Sequence, residues 1–128
     1  MKKYLLDTHT LIWFLEGDSQ ISAVAKELVL DTDNQLFVSI ASLWEMAIKT
    51  SIGKLTLTQS LEQITLRLPL EFIELLPIEI PHILALQGLP FYHKDPFDRL
   101  LIVQTMTEDM TIISIESIFD QYGVKRIW

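Results

Sequence analysis

The sequence predicts an α/β fold: a central, mostly parallel sheet of four to five short strands, flanked by helices. Three observations predict it. Short apolar runs of strand length alternate along the chain with longer runs at helical spacing. No repeat, low-complexity tract or linker interrupts that alternation. Hydrophobic residues make up 49% of the 128 residues against 21% charged, which suits a packed core and one domain over residues 1–128.

The elements follow in order. Lys3 to Leu6 is a strand ending at Asp7. Thr8 or Thr10 opens a helix carrying Leu11, Ile12, Trp13, Phe14 and Leu15, and Gly17 stops it. Ile21, Val24, Ala25 and Leu28 mark a second helix. Leu36 to Ser39 is the second strand and leads directly into a helix from Ala41 to about Ile52, ended by Gly53. Leu61, Ile64 and Leu68 define a helix closed by Pro69, and Phe72 to Leu76 a strand. Pro81 suits the first turn of the next helix, with Gly88 after it. Leu89 to Lys94 is a loop. Asp95-Pro96 then opens a helix that is apolar on every side through Leu100, Leu101, Ile102 and Val103, and so belongs in the middle of the fold. Thr111 to Ser114 is a fourth strand, followed by a helical turn near Tyr122-Gly123 and a last short strand in Val124 to Trp128.

Composition narrows the chemistry. Cysteine is absent, which excludes disulfides, thiolate zinc sites and a cysteine nucleophile. His9, His82 and His93 are too scattered for a zinc site. The net charge of −7 excludes a surface that grips nucleic acid through summed positive charge, but it accommodates divalent cations. No run reaches the roughly 18 apolar residues that cross a bilayer, and Asp7 interrupts the amino-terminal apolar stretch before a signal sequence forms. The expectation is a soluble, cytoplasmic protein with no membrane contact. A mean hydropathy of +0.30 points to an apolar surface patch for self-association.

In parallel sheets, ligands bind outside the carboxyl ends of the strands. Four acids sit at such places: Asp7 after strand one, Glu45 early in the helix after strand two, Asp98 in the first turn of the apolar helix, and Glu116 after strand four. Carboxylates brought together resist ionisation, and a hard divalent cation removes that penalty. Each acid also has a plain structural use. Asp7 is a good helix cap, Glu45 is spaced to pair with Lys49, Asp95 and Asp98 make a helix-start signature with Pro96, and Glu116 suits a first turn. Their joint placement carries the argument.

These segments resemble those of a known family. Leu5-Leu6-Asp7-Thr8-His9, the stretch Ser39 to Lys49 with Trp44-Glu45, the stretch His93 to Leu101, and the ending from Ser114-Ile115-Glu116 to Val124 are similar to the motifs of PIN-domain proteins, in particular VapC-type toxins of type II toxin–antitoxin pairs. The resemblance spans essentially the whole chain. It implies a PIN-like three-layer sandwich and a Mg²⁺-dependent endoribonuclease, with Mn²⁺ as substitute. It implies products with 5′-phosphate and 3′-hydroxyl ends. Asp7, Glu45, Asp98 and Glu116 fall on the catalytic acids, with Asp7, Asp98 and Glu116 holding the metal. Glu116 stands where the family usually has Asp. Thr8, Ser114, Lys49, Lys94 and Arg99 are the substrate-binding candidates. Lys94 and Arg99 would form part of an RNA groove, with Lys54 also flanking the acids. The implied partners are RNA, a cognate antitoxin and a second copy of the chain, as a homodimer or in a hetero-oligomer with the antitoxin. Trp13, Phe14 and Trp44 read as core or dimer contacts rather than base-stacking surfaces.

Other functions fit less well. A catalytically impaired PIN-like module binding RNA or protein is the alternative that the Glu116 departure keeps open. A phosphoacceptor receiver domain needs an Asp after a middle strand and a Lys after a late one, and neither is present. A haloacid dehalogenase-like phosphatase wants an Asp where His9 stands.

Overall fold

The structure is a computed structural model that describes residues 2–128; Met1 lies outside the described residues. Five strands, β1 (Lys3–Leu6), β2 (Gln35–Ser39), β3 (Ile73–Leu76), β4 (Thr111–Ile113) and β5 (Arg126–Ile127), form one sheet in the order β3-β2-β1-β4-β5. Every pairing is parallel, so the sheet is wholly parallel where a mostly parallel one was expected. In register, Leu6 lies opposite Val38 on one side and Ile113 on the other. That register brings the residues that follow, Asp7, Ser39 and Ser114, to one rim of the sheet.

The helices are α1 (Thr8–Glu16), α2 (Ala23–Leu30), α3 (Ile40–Ser51), α4 (Leu61–Leu70), α5 (Ile80–Gln87) and α6 (Pro96–Thr107), with a 3-10 helix over Ser117–Tyr122. The two-residue period of the strands splits the core across the sheet. Tyr4, Leu6, Leu36, Val38 and Ile113 pack with Leu11 and Leu15 of α1, Val29 of α2 and Ile64 and Leu68 of α4. Leu5, Phe37 and Ile112 face the other way, onto Leu101 and Val103 of α6 and Phe119. Residues Arg99 to Thr105 of α6 are all buried, as an all-round apolar helix requires.

Helix ends follow local chemistry. Gly17 closes α1 at φ +64, a left-handed conformation that glycine adopts without a Cβ clash. At α4 the sequence expectation fails: Pro69 does not close the helix but sits inside its last turn. Ile64 and Leu68 are buried against the sheet, and this packing offsets the hydrogen bond that proline cannot make. The reversal comes at Phe72, a bulky residue at φ +57 with its side chain 80% exposed. The strand starting after it runs from Ile73 rather than Phe72.

Candidate active site

Asp7 leaves β1 and caps α1. The Thr10 N–H donates to Asp7 Oδ1 at 2.9 Å, and the Ser114 hydroxyl donates to Asp7 Oδ2 at 2.5 Å. Asp7 is buried, and that desolvation pushes its carboxyl pKa up despite both hydrogen bonds. Ser114 is itself buried, and its Oγ also accepts the Glu116 N–H at 3.0 Å. Arg126 braces the same point, donating to the Ser114 carbonyl at 3.1 Å while it forks onto Asp120 through two 2.9 Å bonds.

Glu45 reaches the rim from α3. Thr8 Oγ1 donates to Glu45 Oε1 at 2.7 Å and lies 3.0 Å from Ser42 Oγ. Lys49, one turn along, places Nζ 2.5 Å from Glu45 Oε2. This is not a surface pair, because the Glu45 side chain is only 5% exposed. The Lys49 pKa is raised, first by the Glu45 hydrogen bond and further by the charges of Asp95 and Asp98.

Asp98 stands in the first turn of α6. Asp95 caps that helix, its Oδ1 accepting the Asp98 N–H at 2.9 Å. Asp98 Oδ2 lies 2.7 Å from His93 Nε2. Burial first, and then the negative charges of Asp95 and Asp7, raise the Asp98 pKa to about 6 against the His93 hydrogen bond. Asp7, Glu45 and Asp98 are therefore electrostatically linked at one rim, directly or through Lys49. Glu116 reaches that rim through its backbone, while its side chain is exposed.

The substrate-binding candidates divide. Thr8 and Ser114 are buried and spent on Glu45 and Asp7, so they position acids rather than face a substrate. Arg99 is a correction. It is 9% exposed, and its guanidinium donates to the carbonyls of Leu89 (3.2 Å), Pro90 (2.9 Å) and His93 (3.4 Å) under the Phe91 ring. It holds the 89–93 loop instead of lining a phosphate groove. Tyr122 completes that brace, accepting the His93 N–H and donating to the Pro90 carbonyl, both at 2.8 Å. Lys94 and Lys54 are exposed. Trp44 is 54% exposed beside Phe97, which ends the core reading for it. Trp13 is half-buried against Trp128.

Three contributors were not singled out as site residues from sequence: Thr10, Ser42 and His93. Thr10 had a signal, as the residue three after a capping Asp. Ser42, one turn before Glu45, and His93, five before Asp98, carry no local signal that separates them from other polar residues.

Carboxylate oxygens whose ionisation burial disfavours, as at Asp7 and Asp98, suit a hard divalent ion, which would offset that cost. Among the described residues, the set of three ligand-type side chains with donor atoms within 4.8 Å of one another is a different one: Glu79, His82 and Glu108. It lies past the other end of α6 from Asp98, about 15 Å along the helix at 1.5 Å per residue. There the Glu79 N–H donates to His82 Nδ1 at 2.9 Å, so the neutral ring carries its proton on Nε2, the atom 3.9 Å from Glu108. That tautomer leaves a metal no free lone pair, because Nδ1 is engaged by the Glu79 N–H, and Glu79 with His82 makes a hydrogen-bonded start to α5.

A family model for the PIN domain matches residues 4–125. The chain belongs to the PIN domain family. Solved structures share this PIN fold along nearly the whole chain. VapBC2 from Rickettsia felis bound to a DNA fragment from their promoter matches at TM-score 0.72 and 16% identity, over 98% of this chain and 97% of that one. VapBC-1 from nontypeable Haemophilus influenzae matches at 0.65 and 19%, over 98% and 96%. FitAcB from Neisseria gonorrhoeae matches at 0.67 and 16%, again over 98% and 96%. Among curated proteins, none matches the sequence. Within a PIN domain, the strand-end acids of this chain are the natural place to look for chemistry.

Proposed function

We propose that this PIN domain is a divalent-metal-dependent endoribonuclease, the toxin of a type II toxin–antitoxin pair, working in the cytoplasm. The observation that carries the reading is the gathering of Asp7, Glu45 and Asp98 at one sheet rim, with the Asp7 charge felt at Asp98. Asp7 and Asp98 would hold Mg²⁺, or Mn²⁺ in its place, with Glu116 joining from the exposed segment after β4. When bound, such an ion neutralises charge on the phosphoryl oxygens and makes an attacking water more acidic.

The chain's own residues supply orientation and charge. Ser114 and Thr10 fix the two Asp7 oxygens, so the carboxylate does not rotate between turnovers. Thr8 fixes Glu45 in the same way. Asp98 has one oxygen held by His93, and an ion bound there would favour its ionised form over the protonated one that burial promotes in the metal-free protein. Lys94 stands exposed beside this rim and would take an RNA phosphate. The Lys49 side chain is 33% exposed and would meet substrate from its position paired with Glu45.

The partners follow from the same reading. A homodimer would cover the apolar stripe that Ile40, Trp44, Ile48 and Ile52 expose at four-residue spacing along α3. The likeness to VapBC and FitAcB structures supports an antitoxin as the second partner.

The test is cleavage of tRNA, rRNA and mRNA with Mg²⁺, Mn²⁺ or EDTA, run beside Asp7→Asn. The wild type should cut with metal only, and Asp7→Asn should lose at least about 100-fold in rate while keeping its fold. Cleavage by Asp7→Asn at the wild-type rate sinks the assignment.

A further inference from the structure

The acidic rim carries a cation of its own. Glu45 has one oxygen on the Thr8 hydroxyl at 2.7 Å and the other on the Lys49 ammonium at 2.5 Å, so both are engaged in a side chain that water scarcely reaches. Asp7 is treated differently, receiving only neutral donors from Thr10 and Ser114. Asp98 keeps one oxygen on His93. Among these acids, Glu45 alone is bonded to a lysine ammonium, and that ammonium also lies within the field of Asp95 and Asp98.

We propose that Lys49 is a positioning residue that keeps Glu45 paired and outside the inner shell of the divalent ion, so that its ammonium and that ion compete for the negative charge of the centre. This rests on the metal-dependent reading above. Physically, a buried carboxylate stripped of its partner is costly, and it seeks another cation. With Lys49 present, Glu45 is already neutralised, and Asp7 and Asp98 are left as the inner ligands. Without it, Glu45 turns its freed Oε2 to the ion, and one opposing charge is gone. The ammonium thereby weakens ion binding while it keeps Glu45 at a fixed distance from the reacting phosphate.

The experiment is Mn²⁺ binding, followed by the EPR signal of free Mn²⁺, with no RNA present. Lys49→Met should bind Mn²⁺ roughly fivefold or more tightly than wild type, because a unit charge has left a partly screened site. Lys49→Arg should stay at wild-type affinity, since it keeps the charge. Glu45→Gln/Lys49→Met should lose most of the gain, since the freed carboxylate is what captures the ion. Lys49→Gln is a second variant read in the same way, should Lys49→Met fold poorly. Unchanged or weaker Mn²⁺ binding by the Lys49 variants overturns the proposal, and so does a gain that survives Glu45→Gln. Mn²⁺ binding by none of the proteins overturns it together with the metal-dependent reading. If wild type binds Mn²⁺ yet cuts no RNA, the nuclease reading falls while the affinity shift still decides the role of Lys49.

Discussion

Ser114 Oγ donates to Asp7 Oδ2 at 2.5 Å, joining two buried residues that lie 107 positions apart in the chain. The parallel pairing of β1 with β4 makes the contact, because Leu6 and Ile113 are register partners and the next residues emerge side by side. The same hydroxyl accepts the Glu116 N–H, so one serine ties the first acid to the segment that carries the last.

Ser114→Ala should therefore act on both. It removes a donor from a buried carboxylate, a loss of about 1–3 kcal/mol, and it pushes the Asp7 pKa further in the direction burial already takes it. The expected outcome is a Mn²⁺ requirement for RNA cleavage raised roughly tenfold. A titration of rate against Mn²⁺ checks it, and an unchanged midpoint counts against the role given to Ser114.

Asp98 makes a pH prediction. Its folded pKa of about 6 lies above the ordinary carboxyl value, so the folded state holds the proton more tightly than the unfolded chain does. The stability this adds is complete below the unfolded pKa and is lost as pH rises through about 6. Asp98→Asn removes the charge and escapes the loss. It should stabilise the metal-free protein by on the order of 1–3 kcal/mol at pH 7.5 and by less at pH 5. Urea denaturation at the two pH values reads this directly, and equal effects at both would contradict it.

Arg99 and Lys94 separate structure from RNA contact. Arg99→Ala leaves three loop carbonyls without their shared donor and uncovers the Phe91 ring. It should cost about 2–3 kcal/mol of stability. Lys94→Ala should leave stability alone and lower the slope of log affinity against log salt by about 0.7 for a single-stranded RNA. Urea denaturation measures the first and RNA binding by the Asp7→Asn protein in EDTA the second, and a salt slope that responds to Arg99 instead would reverse the assignment.

Phe72 sits at φ +57 directly after the last turn of α4, the place where glycine usually reverses the chain. Phe72→Gly should raise the urea midpoint, with a gain of about 0.5–1 kcal/mol, because relief at the left-handed position outweighs the loss of a side chain that is mostly in water. A lower midpoint would show that the exposed ring packs on a partner or neighbour that the strain serves.

Much of this molecule could be read before any coordinates. The runs Lys3 to Leu6, Leu36 to Ser39 and Thr111 to Ser114 gave strands within a residue of those observed. Asp7 and Asp95 were legible as caps, Gly17 as a stop and α6 as a buried helix. All of these depend on neighbours within about four residues, which a linear pattern records. The motif acids were legible as well, since Asp7 follows a strand, Asp98 opens a helix and Glu45 lies in the second turn of the helix that follows β2.

What only the tertiary structure decided depends on what each side chain meets after the sheet has closed. Strand order and register brought Ser114 to Asp7 and Thr8 to Glu45 across 107 and 37 positions, turning two supposed substrate contacts into braces for carboxylates. Packing against the sheet carried α4 through Pro69, where local propensity alone would have stopped it. The same aqueous-looking cations went opposite ways: Arg99 folded inward onto bare carbonyls, Lys49 onto a buried acid, and Lys94 out to solvent. A charged side chain goes to the strongest field within its reach, and that field is a sum over groups distant in sequence, which no local pattern contains.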